Sequence, residues 1–166
     1  FLGVYFEKGI SASSIILLVL TAFLSAIFFI DAYYGIIPDA VSLPAIIFAG
    51  VARIYFGIAP LEIVLGALIG GGFFFLQYLI SKGRWIGGGD IRLGVLMGVI
   101  LGVPMVLGAL MIAYLSGAIV AGYFLATKRK EISSAIAFGT FLSAATFISM
   151  LYSQEVSAIF SFLFRY

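Results

Sequence analysis

Long apolar stretches separated by short polar breaks dominate the chain, and they predict helices that cross a membrane. A helix that crosses the hydrocarbon core needs about 20 predominantly apolar residues. Six stretches reach or approach this length, at residues 10–30, 40–57, 60–80, 90–102, 104–126 and 136–152. Residues 153–166 form an amphipathic tail that we expect in the membrane interface. The pattern predicts an all-α fold, a polytopic membrane bundle of about six transmembrane helices.

The composition agrees with this fold and excludes several kinds of chemistry. Of 166 residues, 64% are hydrophobic and only 10% are charged, whereas a soluble domain carries about 25% charged residues. The net charge of +2 is too small to indicate nucleic-acid binding. The chain has no cysteine and no histidine, which excludes disulfides, the usual zinc sites and Ser-His-Asp or Cys-His catalysis. We therefore expect no metal and no cofactor.

The basic residues predict which side of the membrane each loop faces. Loops 31–39, 81–90 and 127–135 fall on one side, because successive spans alternate in direction. That side carries more basic loop residues than the other, namely Lys82, Arg84, Lys128, Arg129 and Lys130. Cytoplasmic loops are enriched in lysine and arginine, so we expect this side to face the cytoplasm.

Two aspartates stand at the ends of apolar segments on that same side. Asp31 ends the first segment, and Asp90 begins the fourth after three glycines. Ionisable groups in spanning segments are costly, so each is a functional hypothesis. Two neighbouring carboxylates that share one proton can hydrolyse an amide without other catalytic groups. The pair therefore indicates an aspartic hydrolase.

Structural roles compete with this interpretation. Asp90 suits the N-cap of a helix, and Asp39, which follows Pro38, suits the N-cap of the second segment. A purely structural role is a weaker explanation for Asp31, because Asp31 ends the first segment and the C-terminal end of a helix disfavours negative charge.

The fourth segment is short and lined with glycine. Its 13 residues extend over about 20 Å, against a hydrocarbon core of about 30 Å, so we expect Asp90 in a recessed polar pocket. Gly94, Gly98 and Gly102 share one helix face with Asp90. Small residues at this spacing let another backbone approach, either a helix of this chain or a substrate helix. A second glycine set is predicted to serve helix packing: Gly66, Gly70, Gly71 and Gly72.

Three motifs resemble those of the type IV prepilin peptidases, the bacterial GxGD aspartic membrane proteases. The first is an aspartate, six residues and then Pro-Asp or Pro-Asn, seen here as Asp31 with Pro38-Asp39. The second is Gly87-Gly88-Gly89-Asp90 followed by Ile91-Arg92-Leu93-Gly94, with arginine where lysine is usual. The third, Ile-Pro-Phe-Gly-Pro-Phe-Leu, appears at residues 136–142 with both prolines replaced. The resemblance covers nearly the whole chain and indicates a divergent member.

The resemblance implies an aspartic endopeptidase that uses Asp31, Asp90 and water. It implies that residues 1–166 are one transmembrane catalytic domain. The active-site loop would comprise Gly87, Gly88 and Gly89. Four more residues would support the structure or the substrate: Pro38, Asp39, Arg92 and Gly94. Which aspartate is base and which is acid stays open.

The resemblance also implies a substrate and a location. The enzyme would cleave the basic leader of a type IV prepilin or pseudopilin, just before the apolar helix of that substrate. Such enzymes serve type IV pili and type II secretion. The partners would be the substrate helix and the lipid bilayer, with the active site at the cytoplasmic face of the bacterial plasma membrane. Neither the particular pilin nor the oligomeric state is indicated.

Other functions remain as alternatives. The acids would also suit the coupling groups of a proton or cation transporter, or they would belong to a purely structural scaffold. A presenilin-like protease has a Tyr-Asp motif and more spans, whereas Asp31 follows Ile30. The chain begins at Phe1, and we expect it to be part of a longer protein. Many family members carry an amino-terminal cytoplasmic region with paired Cys-x-x-Cys motifs and N-methyltransferase activity, which these residues do not support.

Overall fold

The computed structural model describes residues 11–127 and 137–153. These residues form six α-helices and contain no strand. The helices are α1 (Ala12–Tyr34), α2 (Asp39–Tyr55), α3 (Pro60–Ser81), α4 (Gly88–Leu101), α5 (Met105–Ala126) and α6 (Phe138–Leu151). The all-α prediction is confirmed. Apart from Ser153, the predicted interfacial tail lies outside the described residues, as does the basic cluster at 128–130.

Three helices are long and apolar enough to cross a membrane, at Ala12–Tyr34, Pro60–Ser81 and Met105–Phe124. Helix α6 is a shorter apolar helix. Helices α2 and α4 contain 17 and 14 residues, so they are also shorter than the other three. The predicted bundle is therefore present, but its six helices differ in length. The protein is a polytopic helical membrane protein.

Helix α1 extends further than the sequence pattern predicts. The first segment was expected to end at Ile30 and to leave Asp31 in a loop, but the helix continues to Tyr34. It ends at Gly35, whose left-handed backbone (φ 65°) suits glycine. The N–H of Gly35 donates to the carbonyl oxygen of Asp31 at 2.8 Å. Asp31 therefore lies in the last helical turn, on a defined backbone.

Helix α4 occupies the centre of the bundle. It packs against α2, α3, α5 and α6, and Leu93, Leu96 and Met97 have no exposed surface. A helix that is apolar on all sides is suited to such a buried position. Its 14 residues extend over about 21 Å. The short central helix thus places Asp90 at one end of the bundle, and its neighbours α3 and α5 are 22 residues long.

The seam between α3 and α4 is built from glycines. A Cβ atom added to Gly70 would lie 2.2 Å from the carbonyl oxygen of Gly94, and one added to Gly66 would lie 2.3 Å from that of Gly98. No side chain fits at these distances, so the two backbones are in direct contact. The glycine face predicted on α4 is therefore filled by α3 of the same chain. Gly71 also packs at this seam, against Val95, whereas an added Cβ at Gly72 meets open space.

Exchanging Gly70 for alanine tests this seam. We expect Gly70→Ala to destabilise the protein by about 1–3 kcal/mol, because the new methyl group overpacks a backbone contact. Gly72→Ala on the same helix is the matched control. It should be neutral or stabilise by up to about 1 kcal/mol, since alanine favours helix more than glycine does. Thermal unfolding in detergent measures both, and equal stability of the two variants would contradict a close α3–α4 contact.

Candidate active site

Asp31 is a buried carboxylate held by the start of another helix. Its residue is only 4% exposed, and its Oδ2 accepts a hydrogen bond from the backbone N–H of Thr140 at 2.8 Å. Thr140 lies in the first turn of α6, where N–H groups lack the usual helical acceptor, and its N–H has only a longer local contact, 3.4 Å to the carbonyl oxygen of Ala137. The positive end of α6 therefore compensates the unfavourable position of Asp31 at the end of α1. The sequence pattern did not predict this contact.

Asp90 is held by its own loop. The N-cap of α4 is Gly87, and Asp90 is the third helical residue. Its Oδ2 accepts the backbone N–H of Gly87 at 3.1 Å, which is one half of a capping box. The prediction that Asp90 is itself the N-cap is wrong by three residues, although the carboxylate does contribute to capping. Unlike Asp31, Asp90 is only partly buried.

Both carboxylates line one open cavity of about 620 Å³ at this end of the bundle. Gly87, Gly89 and Arg92 line it as well. Four other predicted site residues do not line the described part of this cavity: Pro38, Asp39, Gly88 and Gly94. Gly94 instead belongs to the α3–α4 seam. The cavity agrees with the recessed pocket that the short fourth segment predicts.

Ile37 connects the three segments that form the cavity. It lies in the loop after α1 and is 9% exposed. A Cβ atom added to Gly89 would lie 2.9 Å from the Cβ of Ile37. One added to Gly139 would lie 2.8 Å from the Cδ1 of Ile37 and 2.8 Å from the Oδ2 of Asp31. Both glycines therefore allow Ile37 to pack between α4 and α6. The only signal in the sequence is an apolar residue directly before Pro38.

Asp39 forms an ion pair with Arg92 beside the cavity. The N-cap of α2 is Pro38, and Asp39 is the first helical residue, so the prediction that Asp39 is an N-cap is wrong. Proline fixes the backbone before the helix and leaves the aspartate side chain free to reach α4. The side chains are 59% and 34% exposed, so the pair contributes less than about 1 kcal/mol. It joins the start of α2 to the first turn of α4.

An aromatic cluster fixes the start of α6. The ring centroid of Phe138 lies 4.9 Å from that of Tyr114 on α5 and 6.2 Å from that of Phe74 on α3. The Nε2 of Gln77 donates to the hydroxyl of Tyr114 at 2.8 Å. Phe138 stands two residues before Thr140, so this cluster positions the N–H group that contacts Asp31. The sequence pattern did not predict the cluster.

The arrangement is suited to acid–base chemistry. Two carboxylates that share a proton can act as general base and general acid on the same amide. Among the described residues, no group of three or more His, Cys, Asp or Glu side chains could hold a metal ion. Fold and cavity thus define a helical membrane protein with two aspartates facing one site.

Comparison with known proteins identifies the family. Residues 18–122 match the family described as "Type IV leader peptidase family", which is more than half of the chain. The chain belongs to this family, in agreement with the motif resemblance. The matched range contains both aspartates and ends before the third motif.

Three relatives carry the name prepilin leader peptidase/N-methyltransferase. The one from Pseudomonas putida is 31% identical over 161 residues, which cover 93% of this chain and 56% of the relative. The one from Bacillus subtilis (strain 168) is 28% identical over 134 residues, which cover 78% of this chain and 52% of the relative. The one from Pseudomonas aeruginosa is 29% identical over 147 residues, which cover 85% of this chain and 50% of the relative. The chain thus spans about half the length of these relatives. No solved structure matches it.

The close approach of Gly139 to Asp31 and Ile37 leads to a stability test. Gly139→Ala should lower the free energy of unfolding by about 1–3 kcal/mol, because the added methyl group displaces the carboxylate or the isoleucine. Gly122→Ala on α5 is the control, since nothing lies within 4 Å of a Cβ added there.

A second variant separates the two contacts. Ile37→Val removes the Cδ1 atom and alone costs about 0.5–1.5 kcal/mol. In that background Gly139→Ala should cost less than in the wild type, because neighbouring substitutions are not additive. Thermal unfolding in detergent gives all four values. Additive losses would contradict direct packing of Ile37 on Gly139.

Proposed function

We propose that this chain is the membrane core of a peptidase that removes the leader of type IV prepilins or pseudopilins. One observation carries the proposal: Asp31 and Asp90 line the same cavity. Family membership supports the reaction class, and the names of the relatives support the substrate. The proposal covers the peptidase activity alone.

The proposed mechanism uses both aspartates and one water molecule. The ionised carboxylate takes a proton from water, and the resulting hydroxide attacks the carbonyl carbon of the scissile amide. The protonated carboxylate donates to the carbonyl oxygen, so the tetrahedral intermediate forms without a covalent bond to the enzyme. Collapse of this intermediate breaks the C–N bond: the carboxyl group that accepted the water proton gives it to the leaving amine, and the other carboxylate takes back a hydroxyl proton as the new acid forms. Either aspartate satisfies either role.

Each carboxylate is positioned by backbone rather than by long side chains. Thr140 N–H holds Asp31, and Gly87 N–H holds Asp90. Backbone donors in a packed bundle do not reorganise when charge develops, which is the condition for efficient electrostatic catalysis. The contacts therefore support a site that is formed before the substrate binds.

The proposed orientation places the cavity at the cytoplasmic face of a bacterial plasma membrane. The loop between α3 and α4 carries Lys82 and Arg84, both exposed, and lies at the same end as the cavity. Basic loops favour the cytoplasmic side. Trp85 and Tyr33 line the cavity and are 72% and 80% exposed, which suits aromatic residues at a membrane interface. A leader in the cytoplasm would then reach the aspartates directly.

Two amide variants test the proposal. Asp31→Asn and Asp90→Asn should each lower the rate at which a type IV prepilin is cleaved in liposomes. The expected loss is about 10²–10⁴-fold, because each variant removes one acid–base group. Both variants should retain the wild-type unfolding temperature within a few degrees, so that lost activity does not reflect lost structure.

Two further acids are controls. Glu62 lies in the first turn of α3 and is exposed. Glu62→Gln should therefore leave cleavage unchanged. Asp39→Asn removes the exposed ion pair with Arg92 and should retain part of the activity. Undiminished cleavage by Asp31→Asn or by Asp90→Asn would exclude that residue from the mechanism.

A further inference from the structure

An apolar groove runs along the outside of the bundle between α1 and α6. Its volume is about 220 Å³, so it accepts a row of side chains rather than a whole helix. On α1 its wall includes Leu24 and Phe28, and on α6 it includes Ser143, Ala144 and Phe147. The hydroxyl of Ser143 donates to the carbonyl oxygen of Gly139 at 2.7 Å. Because this hydroxyl already has a partner, the groove favours an apolar occupant.

The groove begins about one helical turn from the Asp31–Thr140 contact on both of its walls. Phe28 and Leu24 precede Asp31 by three and seven residues. Ser143 and Phe147 follow Thr140 by three and seven residues. At 1.5 Å per residue, both walls run from about 4.5 to 10.5 Å away from the Asp31–Thr140 hydrogen bond. A partner whose peptide bond lies at Asp31 would therefore place its next residues in the groove.

Two other apolar surfaces among the described residues do not lie as close to Asp31 or are already filled. The glycine face of α4 is already filled by α3. A groove between α1 and α2 is lined by Ile15 and Phe48, but Ile15 is 16 residues from Asp31, or about 24 Å along the helix. The α1–α6 groove is the one whose wall begins one helical turn from the carboxylate.

We propose that the α1–α6 groove binds the first two turns of the apolar segment that follows the scissile bond of the substrate. This inference rests on the proposed function. The groove lies on α1, which is long and apolar enough to cross the membrane, so its occupant is embedded in lipid. An apolar helix presents a ridge of side chains that fits such a groove between two helices. Binding there would fix the position of the peptide bond at the aspartates.

Filling the groove is the first test. Ala144→Trp should raise the KM for a type IV prepilin by about tenfold or more, because a mismatch of even one methylene in a hydrophobic pocket costs about 10- to 200-fold, and kcat should change little. Cleavage of a soluble peptide that has the leader but lacks the apolar segment should stay at the wild-type rate. Ile119→Trp is the control, because Ile119 on α5 is 73% exposed and is not among the residues that line the groove. Ile119→Trp should leave the cleavage of both substrates unchanged.

Cysteine cross-linking is the second test, because the chain has no cysteine of its own. Ser25 lies in the groove wall. The Ser25→Cys variant is combined with prepilins that carry single cysteines along their apolar segment. An Asp90→Asn background keeps the substrate intact. With an added thiol oxidant, we expect disulfides that recur every three or four substrate residues, and none from Ile119→Cys.

The outcomes distinguish this inference from the proposed function. If the wild type cleaves prepilin but Ala144→Trp has an unchanged KM and Ser25→Cys forms no cross-link, the groove inference is wrong and the proposed function stands. Disulfides between two copies of the chain without substrate would assign the groove to a dimer contact and also overturn it. If the wild type cleaves no prepilin, the proposed function fails and the groove inference fails with it.

Discussion

The contact between the Asp31 carboxylate and the first turn of α6 is the interaction on which the site depends. A negative charge in the last turn of an apolar helix is unfavourable, and a membrane raises this cost. The backbone N–H of Thr140 offsets it at 2.8 Å. The same bond fixes α6 against α1 and closes one side of the cavity. One electrostatic requirement thus serves both the packing and the proposed chemistry.

The second constraint is the glycine seam, which determines where Asp90 can lie. Because Gly66 and Gly70 let α3 contact the backbone of α4, the short α4 is buried in the middle of the bundle. This helix of 14 residues packs against α3 and α5, which have 22 residues each, so it is about 12 Å shorter than these two. The recessed cavity at Asp90 therefore follows from close packing and helix length together.

The sequence predicted the features that a single position or a regular spacing reveals. A charge in an apolar segment identifies Asp31 and Asp90, and the four-residue spacing identifies the glycine face of α4. Sequence reasoning did not predict contacts that need the relative placement of helices, such as Thr140 with Asp31, 109 residues apart. Ile37 and the Gln77–Tyr114 pair were missed for the same reason. The caps at Pro38 and Gly87 were assigned to Asp39 and Asp90, because cap position depends on backbone angles that composition does not give.

The replaced prolines of the third motif acquire a physical meaning at this contact. Residue 140 is threonine, where the related pattern has proline, and proline has no N–H to donate. In this chain the departure supplies the hydrogen bond that holds Asp31. Gly139, which the pattern retains, supplies the space beside the carboxylate. The motif therefore contributes to the site through its backbone, so a sequence that has lost both prolines can still build the cavity around the two aspartates.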